Sequence, residues 1–226
     1  RSDNNIGIAG VAPLCKIIPV NLTINSSGSF GTFQQLATCL DWSWNEGGAD
    51  IISNSWGGGV PSSLVHDAIK RAITLGRGGK GSLVLFSSGN SDAGVSSPSI
   101  YPESISVGAM DMCYQRKGNN TCDAENFWGS NYGTGLDISA PGVKIATTRN
   151  GASYNNIFNG TSSSCPFVAG VAALVLSVNP GFTQVQARQI IERSARKVGN
   201  YTYSRVPGQP NGSWTPNLGY GMVSAA

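Results

Sequence analysis

The chain has 226 residues, of which 40% are hydrophobic, and its formal net charge is +3. This supplies enough apolar material for one large core, so we expect a single domain spanning residues 1–226. Lys and Arg are scattered without a basic run, which argues against a nucleic-acid partner. Because the sequence has no unbroken run of about 18 apolar residues, we also expect no membrane partner.

Apolar runs alternate with amphipathic segments through the first half of the chain. The runs are almost continuously apolar, as in strands buried on both faces, and they cover Lys16–Leu22, Asp50–Ser55, Leu83–Ser88 and Ser104–Ala109. Pro19 predicts a bulge or an edge in the first run. Helices are predicted at Phe33–Glu46 and at Ser62–Leu75, with Gly76 as a stop. The alternating order predicts an α/β fold with a parallel sheet, whose function gathers at the carboxyl ends of the strands.

The second half of the chain has a different pattern. Residues Asp137–Gly142 end a short apolar run in a turn, and Val143–Thr148 and Tyr154–Phe158 are predicted to pair as strands. Cys165–Val178 is apolar almost all round, which is typical of a helix buried in the core. Thr183 is the predicted N-cap of a second, amphipathic helix that runs to Arg193.

The five cysteines are Cys15, Cys39, Cys113, Cys122 and Cys165, and they show no CxxC or Cys/His spacing typical of zinc sites. Cys113 and Cys122 flank a polar loop that a disulfide would close, and two free thiols are the alternative. Cys15 and Cys39 are a second candidate pair, but the sequence does not show whether their Cα atoms come close enough to bond. The sparse charge and the 30 glycines suit a secreted, extracellular enzyme.

The strongest chemical signal is the segment Asn159–Gly170, which reads NGTSSSCPFVAG. A turn at Gly160 brings Ser162 to the start of the predicted core helix. Helix N-termini present unpaired backbone N–H groups and a partial positive charge. A serine there can attack a carbonyl carbon while its own N–H faces the developing oxyanion. The alternative is that Ser162 or Ser163 only caps the helix.

This segment resembles the serine motif of the subtilisin family. Further similar segments follow in the family's order, at residues 10–13, 50–58, 86–90, 101–109, 137–142 and 219–223. The resemblance covers essentially the whole chain. It implies an α/β fold with a mostly parallel twisted sheet, helices on both faces, and a small antiparallel hairpin before the nucleophile helix.

The resemblance also implies roles for individual residues. Ser162 matches the nucleophile of a serine endopeptidase that works through an acyl-enzyme, and Asn90 matches the side-chain donor to the oxyanion. A plain turn residue is the alternative for Asn90. The residues expected to bind a polypeptide substrate are Ser55, Trp56, Gly57 and Gly58 beside its backbone, and Ser87, Ser88 and Gly89 in the wall of the primary specificity pocket. The alternative for Trp56 is that its side chain only packs in the core. The resemblance implies no cofactor for the chemistry.

The chain departs from the family pattern just after the nucleophile. Ser163, Ser164 and Cys165 stand where the family has Met and small residues, and Phe167 stands where a His is common. We expect these residues to tune helix packing, with Cys165 as a small buried filler.

The larger departure is that the family's catalytic Asp and His precede the segment that matches residues 10–13. The single histidine is His66, which we expect to face solvent beside Asp67. The resemblance therefore implies that Asp and His lie on a segment upstream of Arg1, which also adds strands to the sheet. Without that base, Ser162 is expected to be idle. An inhibitory prodomain is a further expected partner.

A structural calcium site is a weaker implication of the resemblance. Ser2, Asn4, Ile6 and Ile8 match the family's calcium loop, in which backbone carbonyls and an Asn side chain supply the oxygen ligands. The alternative is a flexible chain end.

Two other functions fit the same scaffold. One is a non-catalytic module that only binds peptides, and the other is a peptide ligase or macrocyclase, in which an amine replaces water at the acyl-enzyme. A family Asp and His upstream of Arg1 would favour the enzyme over the first, and product analysis would separate the second from hydrolysis.

Overall fold

A computed structural model describes residues 7–23, 29–119, 121–150 and 153–225. In chain order its elements are α1 (Phe33–Trp44), β1 (Ile51–Asn54), α2 (Ser63–Gly79), β2 (Leu83–Ser87), β3 (Ile105–Met110), β4 (Ile138–Pro141), β5 (Ile145–Arg149), β6 (Ser153–Phe158), α3 (Thr161–Val178) and α4 (Gln184–Arg193). Strands β1, β2, β3 and β4 form one parallel sheet in that order. Strands β5 and β6 form the predicted antiparallel hairpin. The α/β fold is therefore confirmed.

The helix ends follow local sequence signals. Thr183 caps α4 by accepting a hydrogen bond from the N–H of Gln186, whose side chain bonds back to Thr183, as predicted. Thr32 and Gln35 cap α1 in the same way. In α2 the regular helix stops at Gly76, where ψ turns to 157°, so the predicted stop is confirmed.

The parallel sheet carries a core on each face, and β2 serves both. Leu83 and Leu85 pack with α3 and α4 on one face. Val84 and Phe86 pack with α1 and α2 on the other face. This explains why the strand is apolar at every position instead of at alternate ones.

Helix α3 packs on the sheet face that carries Leu83 and Leu85. It begins at Thr161, earlier than the apolar run suggested. Its length and its mean hydropathy of 1.6 would suit a membrane span. A core helix has the same composition, and Cys165, Val168 and Ala172 of α3 are fully buried in the core. The packing therefore explains its apolar character.

A buried ion network ties α4 to β4. Arg188 donates to Asp137 over 2.8 Å, and also to Glu192. Burial raises the pKa of Asp137 to about 6, although Arg188 opposes this shift. The network anchors the amino-terminal end of β4, opposite the end that meets the turn before α3.

The prediction of a buried strand at Lys16–Leu22 is wrong. The structure has no strand there, and Ile17 and Ile18 are 90% and 41% exposed. An apolar run becomes a strand only where a neighbour supplies backbone partners. Among the described residues β1 is an edge strand that pairs only with β2. No further strand of the described chain lies beyond β1 to pair with this run.

The cysteines divide into one pair and three free thiols. Cys113 and Cys122 form the predicted disulfide, with an S–S distance of 2.05 Å. Cys15, Cys39 and Cys165 are free, so the alternative pairing of Cys15 with Cys39 is not formed.

Candidate active site

The nucleophile candidate lies on a tight turn between β6 and α3. Gly160 is the N-cap of α3 and has a φ of 118°, a conformation that favours glycine. Its N–H donates to the carbonyl oxygen of Gly142 over 2.9 Å, which ties the turn to the end of β4. Ser162 follows in the first turn of α3 and is half-buried. Backbone N–H groups in a first helical turn lack intrahelical partners, so they are free to face a ligand.

Asn90 lies just beyond the carboxyl end of β2 and contacts this turn directly. Its Oδ1 atom accepts hydrogen bonds from the backbone N–H and from the hydroxyl of Thr161, both over 2.8 Å. Anchoring the oxygen in this way fixes the orientation of the amide and leaves its Nδ2 donor on the other side. The structure therefore brings Asn90 close to the turn that carries Ser162, at the carboxyl ends of the strands, where the sequence predicts the site.

Ser55 follows β1 and exchanges hydrogen bonds with Ser162. The hydroxyl of Ser55 donates to the carbonyl oxygen of Ser162 over 2.8 Å. The hydroxyl of Ser162 donates to the carbonyl oxygen of Ser55 over 3.3 Å. A backbone carbonyl is not a base that can take the proton, so this contact does not activate the nucleophile.

Trp56 has both of the roles that the sequence left open. Its ring packs edge-on against Phe86 with 5.2 Å between centroids, and its Nε1 donates to Asn54. The same side chain borders an apolar cavity of about 170 Å³ that opens beside β1. Trp56 is therefore attached to the core and also lines a cleft.

The two glycines after Trp56 differ in what they offer a ligand. Gly58 has a φ of 88° and donates its N–H to the carbonyl oxygen of Ser97 over 2.9 Å. That donor is already used within the fold. Gly57 is exposed and borders the same cavity as Trp56.

The predicted wall of the specificity pocket is built mainly from backbone. Ser87 and Ser88 are buried, and the Ser88 hydroxyl donates to the carbonyl oxygen of Asn131. Gly89 is half-buried, and its N–H donates to the Thr161 hydroxyl over 3.3 Å. The two serine side chains therefore face the protein interior.

Sequence reasoning missed two residues that shape the site. Thr161 orients the amide of Asn90. Thr161 lies inside the recognised serine motif, but sequence reasoning assigned it no role of its own. Asn131 is 3% exposed, and its Oδ1 accepts from the N–H groups of Ser91 and Ala93, which form the loop that follows Asn90. Nothing in the local sequence around Asn131 signals this role, because its partners are remote in the chain.

The prediction that His66 faces solvent is wrong. Its Nε2 lies 2.8 Å from the carboxylate of Glu103, its ring stacks on Tyr101 at 4.1 Å, and its side chain is only 25% exposed. Burial raises the pKa of Glu103, but the hydrogen bond from His66, a backbone hydrogen bond and the nearby charges of His66 and Lys70 together outweigh it, so the net pKa lies below the usual range. Among the described residues, Ser162 makes its side-chain hydrogen bond to Ser55 and not to His66.

The residues after the nucleophile pack as predicted. The hydroxyl of Ser163 donates to the carbonyl oxygen of Gly160 over 2.7 Å, and that of Ser164 donates to the carbonyl oxygen of Ala140. Cys165 is fully buried, and burial raises the pKa of its thiol to about 11. Such a thiol is inert, so Cys165 is a filler beneath the site.

The predicted calcium ligands Ser2, Asn4 and Ile6 lie outside the described residues, and Ile8 is 40% exposed. Calcium therefore stays a prediction. Within the described ranges, the one cluster of metal-type side chains is Asp111 with Cys113 and Cys122, and its two sulfurs are joined in the disulfide.

Known proteins match the chain over most of its length. The model of the Subtilase family matches residues 1–221. M-protease of Shouchella clausii (strain KSM-K16) is 38% identical over 88% of this chain and 47% of its own length. Subtilisin Savinase of Lederbergia lenta is 37% identical over 88% of this chain and 67% of its own length.

The chain spans about half the length of several such relatives, and Subtilisin E of Bacillus subtilis (strain 168) is 33% identical over 89% of the chain and 49% of its own length. Among solved structures, Sphericase matches with a TM-score of 0.67 and 24% identity, covering 87% of this chain and 64% of that one. That likeness supports the fold alone, whereas the family model and the sequence relatives go further. The chain belongs to the Subtilase family.

Proposed function

We propose that the full-length protein is a serine endopeptidase that cleaves polypeptides through an acyl-enzyme on Ser162. The Ser162 hydroxyl oxygen attacks the scissile carbonyl carbon, and the amine half of the substrate leaves. Water then attacks the acyl-enzyme and releases the acid half. Asn90 Nδ2 and the Ser162 N–H stabilise the oxyanion of both tetrahedral intermediates. The observation that carries this proposal is the Thr161 contact, which holds the Asn90 amide against the nucleophile turn.

The acceptor of the Ser162 proton is a histidine that we place, with its partner aspartate, on a segment upstream of Arg1. The single histidine of the chain supports this, because His66 is already engaged by Glu103 and Tyr101. The exposed apolar run at residues 16–22 is a second support, since the same segment would cover it. These 226 residues by themselves are expected to be idle, because a serine without a base is a poor nucleophile.

The substrate is proposed to be an extended polypeptide lying along Ser55–Gly57. Ser55 is hydrogen-bonded to Ser162, and the apolar cavity beside Trp56 would take an apolar side chain of the substrate. The segment Ser87–Ser91 carries no acidic residue, so the primary specificity pocket is expected to take uncharged or apolar side chains.

The proposal includes a setting for the enzyme. The disulfide supports secretion, because disulfides persist in oxidising compartments. An inhibitory prodomain and a structural calcium ion at Ser2, Asn4, Ile6 and Ile8 complete the proposed partners. The chemistry itself requires no cofactor.

Labelling with a fluorophosphonate tests the proposal. The full-length protein should be labelled at Ser162, as located by peptide mapping, and it should hydrolyse a denatured protein substrate. Ser162→Ala should abolish the label and lower kcat by about 10⁶-fold, the scale for loss of a triad serine. A wild-type protein that takes no label overturns the proposal and leaves a peptide-binding module, while ligated products would indicate a ligase.

A further inference from the structure

The loop from Asp111 to Glu125 lies beside the candidate site and is held closed in two ways. The disulfide between Cys113 and Cys122 covers its outside. Inside it the ammonium of Lys117, which is fully buried, is surrounded by oxygen atoms of Gly118 at 2.7 Å, Thr121 at 3.1 Å, Asp123 at 3.2 Å and Glu125 at 2.6 Å. A buried charge is retained only where such partners satisfy it, so these four residues are held around the ammonium of Lys117.

The side chain of Glu125 points out of this loop toward the nucleophile turn. Its two carboxylate oxygens accept from Nδ2 of Asn159 over 2.9 and 2.8 Å. One of them also accepts from Nε1 of Trp128 over 2.9 Å. Hydrogen bonds to an ionised carboxylate are stronger than neutral ones, so the amide of Asn159 is firmly held.

Asn159 is held at its other end as well. Its Oδ1 accepts from the N–H of Lys144 over 2.6 Å, so both halves of the amide are used. Asn159 directly precedes Gly160, the N-cap of α3, and Ser162 lies in the first turn beyond it. The position of the Asn159 side chain therefore sets where the turn starts and where the Ser162 hydroxyl points.

The same loop contacts the oxyanion side through Arg116. This guanidinium pairs with Asp92, donates to the carbonyl oxygen of Ser130 over 2.8 Å, and lies 4.2 Å from the ring centre of Tyr132. Asp92 lies two residues after Asn90. One closed loop thus contacts the nucleophile turn on one side and the Asn90 loop on the other.

We propose that Glu125 is a positioning residue, which acts through Asn159 to hold the Ser162 hydroxyl in register with the Asn90 donor. This inference rests on the proposed peptidase function and adds a residue that contacts no substrate. A displacement of about 1 Å at the reacting atoms can cost about a hundredfold in rate, so a hydrogen bond one step removed from the serine controls turnover.

The test compares Glu125→Gln with Glu46→Gln in the full-length protein. Gln keeps the size of Glu125, but its one oxygen cannot serve both Asn159 and Trp128, and its amide opposes a donor. We expect kcat and the fluorophosphonate labelling rate of Glu125→Gln to fall about 10-fold to 100-fold, with KM within about twofold. Glu46 is exposed and lies after α1, so its variant should match the wild type.

A swapped pair separates positioning from general damage to the fold. Asn159→Asp places two carboxylates together and should lower kcat at least as far as Glu125→Gln. The double variant restores a donor on residue 125 and an acceptor on residue 159, so kcat should recover by about tenfold over Asn159→Asp. Melting temperatures measured on the same samples show whether each variant is folded. If Glu125→Gln is not folded, the comparison of Asn159→Asp with the double variant tests the positioning role instead.

The results distinguish the two proposals. A labelled wild type whose kcat survives in Glu125→Gln and in Asn159→Asp overturns the positioning role alone. Losses that simply add in the double variant, or a rise in KM at constant kcat, overturn it too. A wild type that takes no label overturns the peptidase function itself.

Discussion

Two runs that the sequence predicts to be buried strands differ in this structure. Leu83–Ser87 is buried at every position between two layers of helices, and Asn90, three residues beyond its end, contacts the nucleophile turn. The run at residues 16–22 is exposed except at Val20 and Leu22, which are half-buried, and it pairs with no strand of the described sheet. The first has a neighbouring strand on each side, whereas the second has no neighbouring strand in the described part of the chain and reaches the core only through Leu22.

The difference teaches how the site is divided. The proposed nucleophile Ser162 and the proposed oxyanion donor Asn90 are held by contacts within the described residues, through β1, β2 and α3. Under our proposal one upstream segment supplies both the proton acceptor and the cover for the exposed part of residues 16–22. The predictions below test the two halves separately, from the largest expected effect to the smallest.

The proposed oxyanion donor is tested by Asn90→Asp in the full-length protein. Asp keeps the oxygen that accepts from Thr161 but removes the Nδ2 donor. The loss should be about 10²-fold to 10³-fold in kcat, corresponding to about 2.7–4 kcal/mol of transition-state stabilisation. Steady-state kinetics check it, with the exposed Asn200→Asp as control. A kcat close to that of the wild type would show that Asn90 is only a turn residue.

The proposed cover over residues 16–22 is tested by Ile17→Ala in the full-length protein. If an upstream segment covers this side chain, its truncation should cost about 1–3 kcal/mol in the free energy of unfolding, as for a buried residue. Val178 is 83% exposed at the end of α3, and Val178→Ala should cost less than about 0.5 kcal/mol. Urea unfolding measures both, and equal small costs would refute the cover.

Sequence reasoning succeeded where the signal was local. The all-apolar pattern of β2, the Thr183 cap and the turn at Gly160 each depend on residues within a few positions, and each was confirmed. It failed for Lys16–Leu22, because burial of a strand depends on a neighbour that the pattern does not encode. It also failed for His66, whose partners Tyr101 and Glu103 are remote in sequence.

The candidate site shows the same limit. Ser162 and Asn90 could be predicted because both belong to motifs at element ends. The contacts that hold them, from Asn131, Thr161 and Glu125, involve side chains that meet only after folding. The distance between the motifs, and the hydrogen bonds that join them, therefore had to come from the structure.

The central claim is that this chain supplies the nucleophile and the oxyanion donor but not the base. The most direct test is kcat of His66→Gln in the full-length protein, with the melting temperature measured on the same sample. Because His66 is bound to Glu103 and stacked on Tyr101, kcat should stay within about twofold of the wild type. A fall of about 10³-fold or more in a folded variant would make His66 the base and contradict the account.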